Sequence, residues 1–124
     1  MSDGEIESGK GHRAISWIKA ARKEFSKFPV AAQQRMLTAL EIAAAGQKAD
    51  IAKPMKGLGA GVIGIALKYQ TNAYRTVYAL QLDQDIWVID AFRKKSKTGI
   101  KTPKQETDRI GRRIKALKEI LNNG

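Results

Sequence analysis

Apolar positions in this chain follow a three-to-four spacing near the start, a spacing of two in the middle, and three-to-four again at the end. Residues 1–11 come before any periodic stretch, are polar and Gly-rich, and have nothing to bury. They predict a flexible N-terminal arm ahead of one domain over 12–124. Trp17, Ile18, Ala21, Phe25 and Phe28 then recur on one helical face, with Ser16 placed as N-cap. Pro29 ends that helix and suits the first turn of a second, which runs through Val30, Met36, Leu37 and Leu40 to a stop at Gly46. The pair predicts an antiparallel helix hairpin. Lys53 to Gly61 reads as a loop or short edge segment, since Pro54 and the glycines at 57, 59 and 61 exclude a continuous element.

From Val62 the period is that of strands. Val62–Tyr69, Ala73–Leu82 and Ile86–Phe92, separated by turns at Gln70-Thr-Asn72 and Asp83-Gln84, predict an antiparallel meander. Lys94–Lys101 reads as a basic loop, and Thr102-Pro103 can open a last helix. In that helix Ile110, Ile114, Leu117 and Leu121 form one apolar stripe, while Arg109, Arg112, Arg113, Lys115 and Lys118 mostly point outward. The order predicts a two-layer α+β domain: an N-terminal antiparallel helix hairpin packed on a small antiparallel sheet, with a C-terminal helix.

Charge adds a statement about partners. The 124 residues carry 23 Lys and Arg against 12 Asp and Glu, a net +11, so nucleic acid or an acidic protein is the expected partner. Eleven of the cations lie between Arg93 and Lys118, against only Glu106 and Asp108. The absence of cysteine removes disulfides and thiolate metal sites. No apolar run approaches the roughly 20 residues of a membrane span, and the start Met1-Ser-Asp-Gly-Glu-Ile-Glu lacks the basic and apolar regions of a signal peptide. A cytoplasmic location is the expectation, with no membrane partner.

Two groups carry candidate chemistry. Arg75 stands inside an apolar strand, and Arg93-Lys-Lys95 closes the next one. An arginine there reads first as a snorkelling side chain meeting a carboxylate such as Asp90, and alternatively as a fork that holds a phosphodiester by two parallel hydrogen bonds. Lys53, Lys56, Lys97, Lys101, Arg112 and Arg113 can extend a basic patch, although a cationic run is commonly just a solvated face. Tyr69, Tyr74, Tyr78, Trp87 and Phe92 interleave with the cations as in proteins that stack single-stranded RNA bases. Mid-strand Tyr78 and Trp87 read as core, which leaves Phe92 as the better stacking candidate. His12, the single histidine, lies at the edge of the arm, so any acid or base must be Lys, Tyr, Asp or Glu. Gly57-Leu-Gly-Ala-Gly61 lacks the following helix of a phosphate-binding loop.

Lys53-Pro-Met-Lys-Gly-Leu-Gly59, Ala73-Tyr-Arg-Thr-Val-Tyr78, Trp87-Val-Ile-Asp-Ala-Phe-Arg-Lys-Lys95 and Gly99-Ile-Lys-Thr-Pro-Lys104, in this order and spacing, resemble the HigB-like branch of the RelE/ParE toxin superfamily. These are toxins of type II toxin-antitoxin systems, also known as phage-derived or addiction-module killer proteins. The resemblance covers residues 12–121. It implies the RelE-like fold just described, ribosome-dependent cleavage of mRNA, no cofactor and no metal, and three partners: a helix-turn-helix antitoxin, the ribosome and mRNA.

By the same resemblance Arg75 matches the strand arginine at the scissile phosphate. Lys94 and Lys95 match the cationic pair after the last strand, and Lys56 a basic residue in the loop before the sheet. Lys53, Phe92, Arg93, Lys97, Lys101, Arg112 and Arg113 would contact RNA. Three positions depart from the family pattern: Gly64 stands where Glu is common, Ala66 where many relatives carry Arg, and Asp90 where close relatives have His. An aspartate beside Arg75 would compete with phosphate for the guanidinium, which makes Asp90 a modulator of the site. The alternatives are a ParE-like toxin acting on DNA gyrase, or a catalytically weakened module that binds antitoxin or nucleic acid.

Overall fold

The computed structural model describes residues 12–94 and 104–123; the expected N-terminal arm lies outside them. The elements run β1 (Ile15–Trp17), α1 (Lys19–Phe25), α2 (Val30–Ala44), β2 (Ala52–Pro54), β3 (Val62–Tyr69), β4 (Asn72–Ala79), β5 (Ile86–Lys94) and α3 (Lys104–Asn123). The five strands form one sheet in the order β1-β5-β4-β3-β2. The β3-β4-β5 meander is at its centre, as the period predicts, and β3 turns into β4 through two residues, with Gln70 in the left-handed region at φ 56°.

A strand, not a helix, comes first. Ile15, Ser16 and Trp17 pair in parallel with Ile86, Trp87 and Val88, and the Ser16 hydroxyl donates to the Asp85 carboxylate at 2.7 Å instead of capping a helix. Three residues are too few for periodicity to tell strand from helix, and the free edge of β5 decides between them. Arg13 locks this arrangement by donating to the carbonyls of Leu80, Asp83, Gln84 and Asp85, gripping the β4–β5 turn. Helix α1 stops at Phe25, short of the expected Phe28. In α2 the buried face is Ala32, Met36, Ala39, Leu40, Ala43 and Ala44, so Val30 and Leu37 are exposed although their spacing suggested core. Gly46 adopts φ +90° just past the helix end, the left-handed stop its position predicts.

The sheet is covered on both faces, so the domain has three layers where two were expected. Alternate strand residues divide between the faces. Ile63, Ile65, Leu67, Tyr74, Tyr78 and Val88 pack with Phe25, Phe28, Met36 and Leu40 on one side. Val62, Val77, Ala79 and Ile89 pack with Ile110, Ile114 and Leu117 of α3 on the other. Each buried α3 side chain contributes about 1.5 to 3 kcal/mol, which is what holds that helix on the sheet. A register shift between Val77 and Tyr78 sets two β5 residues, Ile89 and Asp90, against Val77 alone. Both therefore face α3: Ile89 joins its apolar cluster and Asp90 bonds to its arginines.

Candidate nucleic-acid interface

Register fixes which side chains share the α3-facing side of the sheet. Three rows cross it: Lys68–Ala73–Lys94, Ala66–Arg75–Phe92, and Gly64–Val77–Asp90, the last extended by Lys53 on the β2 edge. Helix α3 covers the end that holds Val62, Val77 and Ile89. Toward the β3–β4 turn, Ala66 and Lys68 are exposed and Ala73 and Arg75 half-buried.

Arg75 and Lys94 come together at this end. Lys94 is the last residue of β5 and only 8% exposed. Its ammonium is shifted below the usual lysine value, first because burial strips its water and second because the Arg75 charge stands near it. Burial lowers Arg75 as well. Neither is without a partner; what the pair supplies is positive charge gathered at one place, which favours an anion there. A Cβ added at Gly64 would meet Arg75 Cδ at 3.6 Å, an ordinary contact, and Met55 Cγ and Sδ at 3.2 Å, a tight one, so the glycine makes room for Met55 rather than for Arg75. A larger residue at that position would require Met55 to shift by a few tenths of an ångström.

Asp90 does not serve as the expected competitor for Arg75. Its carboxylate is 1% exposed; Arg109 Nε donates to it at 2.7 Å, Arg113 Nη1 stands at 3.0 Å and the Ala91 amide at 2.8 Å. Arg113 also donates to the Ile89 carbonyl at 3.1 Å. Arg109 and Arg113 thus turn inward, contrary to the outward orientation expected of them, because a buried carboxylate must be paired. Asp90 is an anchor for α3. The Arg109 guanidinium also lies 5.5 Å from the centroid of the Phe92 ring, so this candidate stacking residue already carries a cation on its face.

The other candidates scatter. Arg93 is exposed and pairs in register with Tyr74, so it faces away from Arg75. Lys53 is exposed on the α3-facing side, Lys56 is exposed in the following loop, and Arg112 is exposed on α3. Lys95, Lys97 and Lys101 lie outside the described residues. Tyr78 is core at 1% exposure, whereas Trp87 is only half-buried and donates from Nε1 to Asp83 at 2.9 Å. Among the described residues, no group of three or more His, Cys, Asp or Glu is placed to hold a metal ion, and no helix is long and apolar enough to cross a membrane. Lys68 was missed by sequence reasoning, although its spacing of two from Ala66 and four from Gly64 puts it on their face. Arg109 and Arg113 were misplaced because nothing local marks Asp90 as buried.

The fold is similar to that of a mutant of the E. coli toxin RelE in the free state, with a TM-score of 0.50 and 16% identity, over 64% of this chain and 81% of that one. That places the domain among RelE-like α+β folds. Residues 23–115 match the family described as phage derived protein Gp49-like (DUF891), and the chain belongs to that family. A search of curated proteins gives no match.

Proposed function

We propose that this protein is the toxin of a type II toxin-antitoxin system and acts as a ribosome-dependent mRNA endoribonuclease in the cytoplasm. The observation that carries the reading is the juxtaposition of Arg75 and Lys94, two cations brought together on the α3-facing side of the sheet beside Ala66 and Ala73. Membership of the phage-derived Gp49-like family and the RelE-like fold support it.

In this mechanism the ribose 2′-oxygen attacks its own phosphodiester, the bond from phosphorus to the 5′-oxygen breaks, and the products are a cyclic phosphate and a free 5′-hydroxyl. The 2′-hydroxyl proton leaves to a base and the departing 5′-oxygen gains one. Arg75 neutralises the phosphorane with its fork, and the lowered Lys94 is the described lysine nearest to useful acid-base behaviour. Lys95 and Lys56 are the other candidates for proton transfer. Most of the rate comes from positioning by the ribosome, which can supply roughly 7 to 11 kcal/mol. A helix-turn-helix antitoxin with an acidic surface is the proposed inhibitor, laid over this cationic side or displacing α3.

The test is mapping of cellular mRNA 5′ ends after induction of the parent and of Arg75→Ala, with and without inhibitors that block the ribosomal A site. New ends that need both Arg75 and an open A site are expected. Killing without new ends, accompanied by gyrase-linked DNA breaks, would replace this reading with the ParE-like one. Neither effect, with antitoxin or nucleic-acid binding retained, would leave a binding module.

A further inference from the structure

Lys68 belongs to the same surface but to none of the roles assigned above. It stands two residues beyond Ala66 on β3, pairs in register with Ala73, and lies in one row with Lys94. Strands are spaced by about 4.8 Å, so the Cα atoms of Lys68 and Lys94 flank Ala73 about 10 Å apart, and Arg75 is one pleat repeat of about 7 Å along β4. Ala66 and Ala73 form the floor between these three cations; neither side chain reaches beyond its Cβ. Lys68, Lys94 and Arg75 thus stand around this floor, spread over a distance that fits an extended anionic chain better than a single compact anion. Lys68 is exposed, whereas Lys94 is buried, so Lys68 is the cation of this row open to solvent.

We infer that Lys68 is a second phosphate subsite: Arg75 and Lys94 hold one phosphate of a single-stranded ribose-phosphate backbone, and Lys68 holds a neighbouring one. The inference rests on the proposed nuclease reading for its substrate and deepens it, by giving the site a minimum ligand of two consecutive phosphates. Lys68 is then a positioning residue. It binds the strand and leaves the bond-making step to others. A cation at Ala66, the register partner of Arg75, would lie on the same face of the same strand, two residues from Lys68.

The experiment measures binding of a short single-stranded RNA oligonucleotide of mixed sequence to the full chain across a salt series, for the parent, Lys68→Ala, Lys68→Ala with Ala66→Arg, and Lys23→Ala as a control on α1. Each phosphate contact contributes about 0.7 to the log-log salt slope on a single strand. Lys68→Ala should flatten the slope by that amount, so its penalty shrinks about threefold between 50 and 200 mM salt, as the slope implies. Ala66→Arg should restore the slope, which a merely structural role for Lys68 would not allow, and Lys23→Ala should leave it unchanged. In ribosome-dependent cleavage, Lys68→Ala should raise KM and spare kcat. An unchanged slope and KM in folded Lys68→Ala, beside a parent that binds and cleaves, overturns the subsite alone. A parent that binds without cleaving overturns the nuclease reading while the slope still decides Lys68. A parent that binds no RNA overturns the subsite, and cleavage on the ribosome then decides the nuclease reading by itself.

Discussion

Where α3 covers the sheet, around Asp90, both signs of charge are present: a buried carboxylate receives two guanidiniums from the helix, on the side of the sheet that also holds the apolar cluster of Val77, Ile89 and Ile110. One row away, around Arg75, the strands are the same but cations gather instead, on a floor of Ala66 and Ala73. The first region uses charge to fasten an element, which is stable only because both signs are present. The second brings Arg75 and Lys94 together, each with partners of its own, and burial disfavours both charges there, a property common at functional sites.

The sharpest way to break this comparison is Arg75→Ala. Loss of one preorganised charge contact should lower the cleavage rate by about 10² to 10³-fold, roughly 3 to 4 kcal/mol, with little change in Tm. Arg75→Lys should recover little, because a point charge cannot reproduce the fork. Equal cleavage by the parent and Arg75→Ala at matched folded concentration would remove Arg75 from the chemistry.

Asp90→Ala tests the fastened region and should do the reverse. It leaves two arginines without their shared partner and should cost about 3 kcal/mol of stability, a fall in Tm of roughly 10 °C in thermal unfolding. Asp90→His, which a competitor role beside Arg75 would make more active, is expected to lose stability too, since it sets a third potential cation against Arg109 and Arg113. A fully stable Asp90→His protein with raised activity would return Asp90 to the Arg75 side of the comparison.

Lys94→Met should raise stability near neutral pH while lowering cleavage. The folded-state pKa of Lys94 lies below its unfolded value, so the folded state bears the charge at a penalty that is full at lower pH and relieved as pH rises through the folded pKa. The gain from Lys94→Met should therefore shrink on going alkaline, as denaturant melts at several pH values would show. The smallest effect separates neighbours on α3: Arg113→Ala should cost about 1 to 2 kcal/mol by leaving Asp90 half-paired, and exposed Arg112→Ala no more than about 0.5.

The strand meander and the final helix with its stripe of Ile110, Ile114 and Leu117 were legible, because period acts over neighbouring residues; of the candidate site, the structure shows that Arg75 and Lys94 are close, not what they do. β1 was not. Its three residues have no periodicity of their own, and only the β5 edge, about 70 positions later, makes them a strand. Asp90 failed for a related reason. Alternation alone puts it on the same face as Arg75, one row away, and what engages it is a pair of arginines from α3, much later in the chain, which no local pattern on β5 announces. Lys68 was legible in principle, from the same alternation that placed Ala66, but a lone lysine near a turn gives no chemical signal until its row neighbours are known.

The grip of Arg13 on the β4–β5 turn has a consequence for the order in which the chain is made. Its four carbonyl partners lie 67 to 72 residues downstream, and β1 has no strand to join until β5 exists. The segment that leaves the ribosome early is thus among the last to be fixed, and closing so long a loop is slow relative to forming α1 or α2. Lys94, the buried half of the cation pair, is the final residue of that same late strand. A nascent chain therefore has no assembled Arg75–Lys94 pair until synthesis has passed β5.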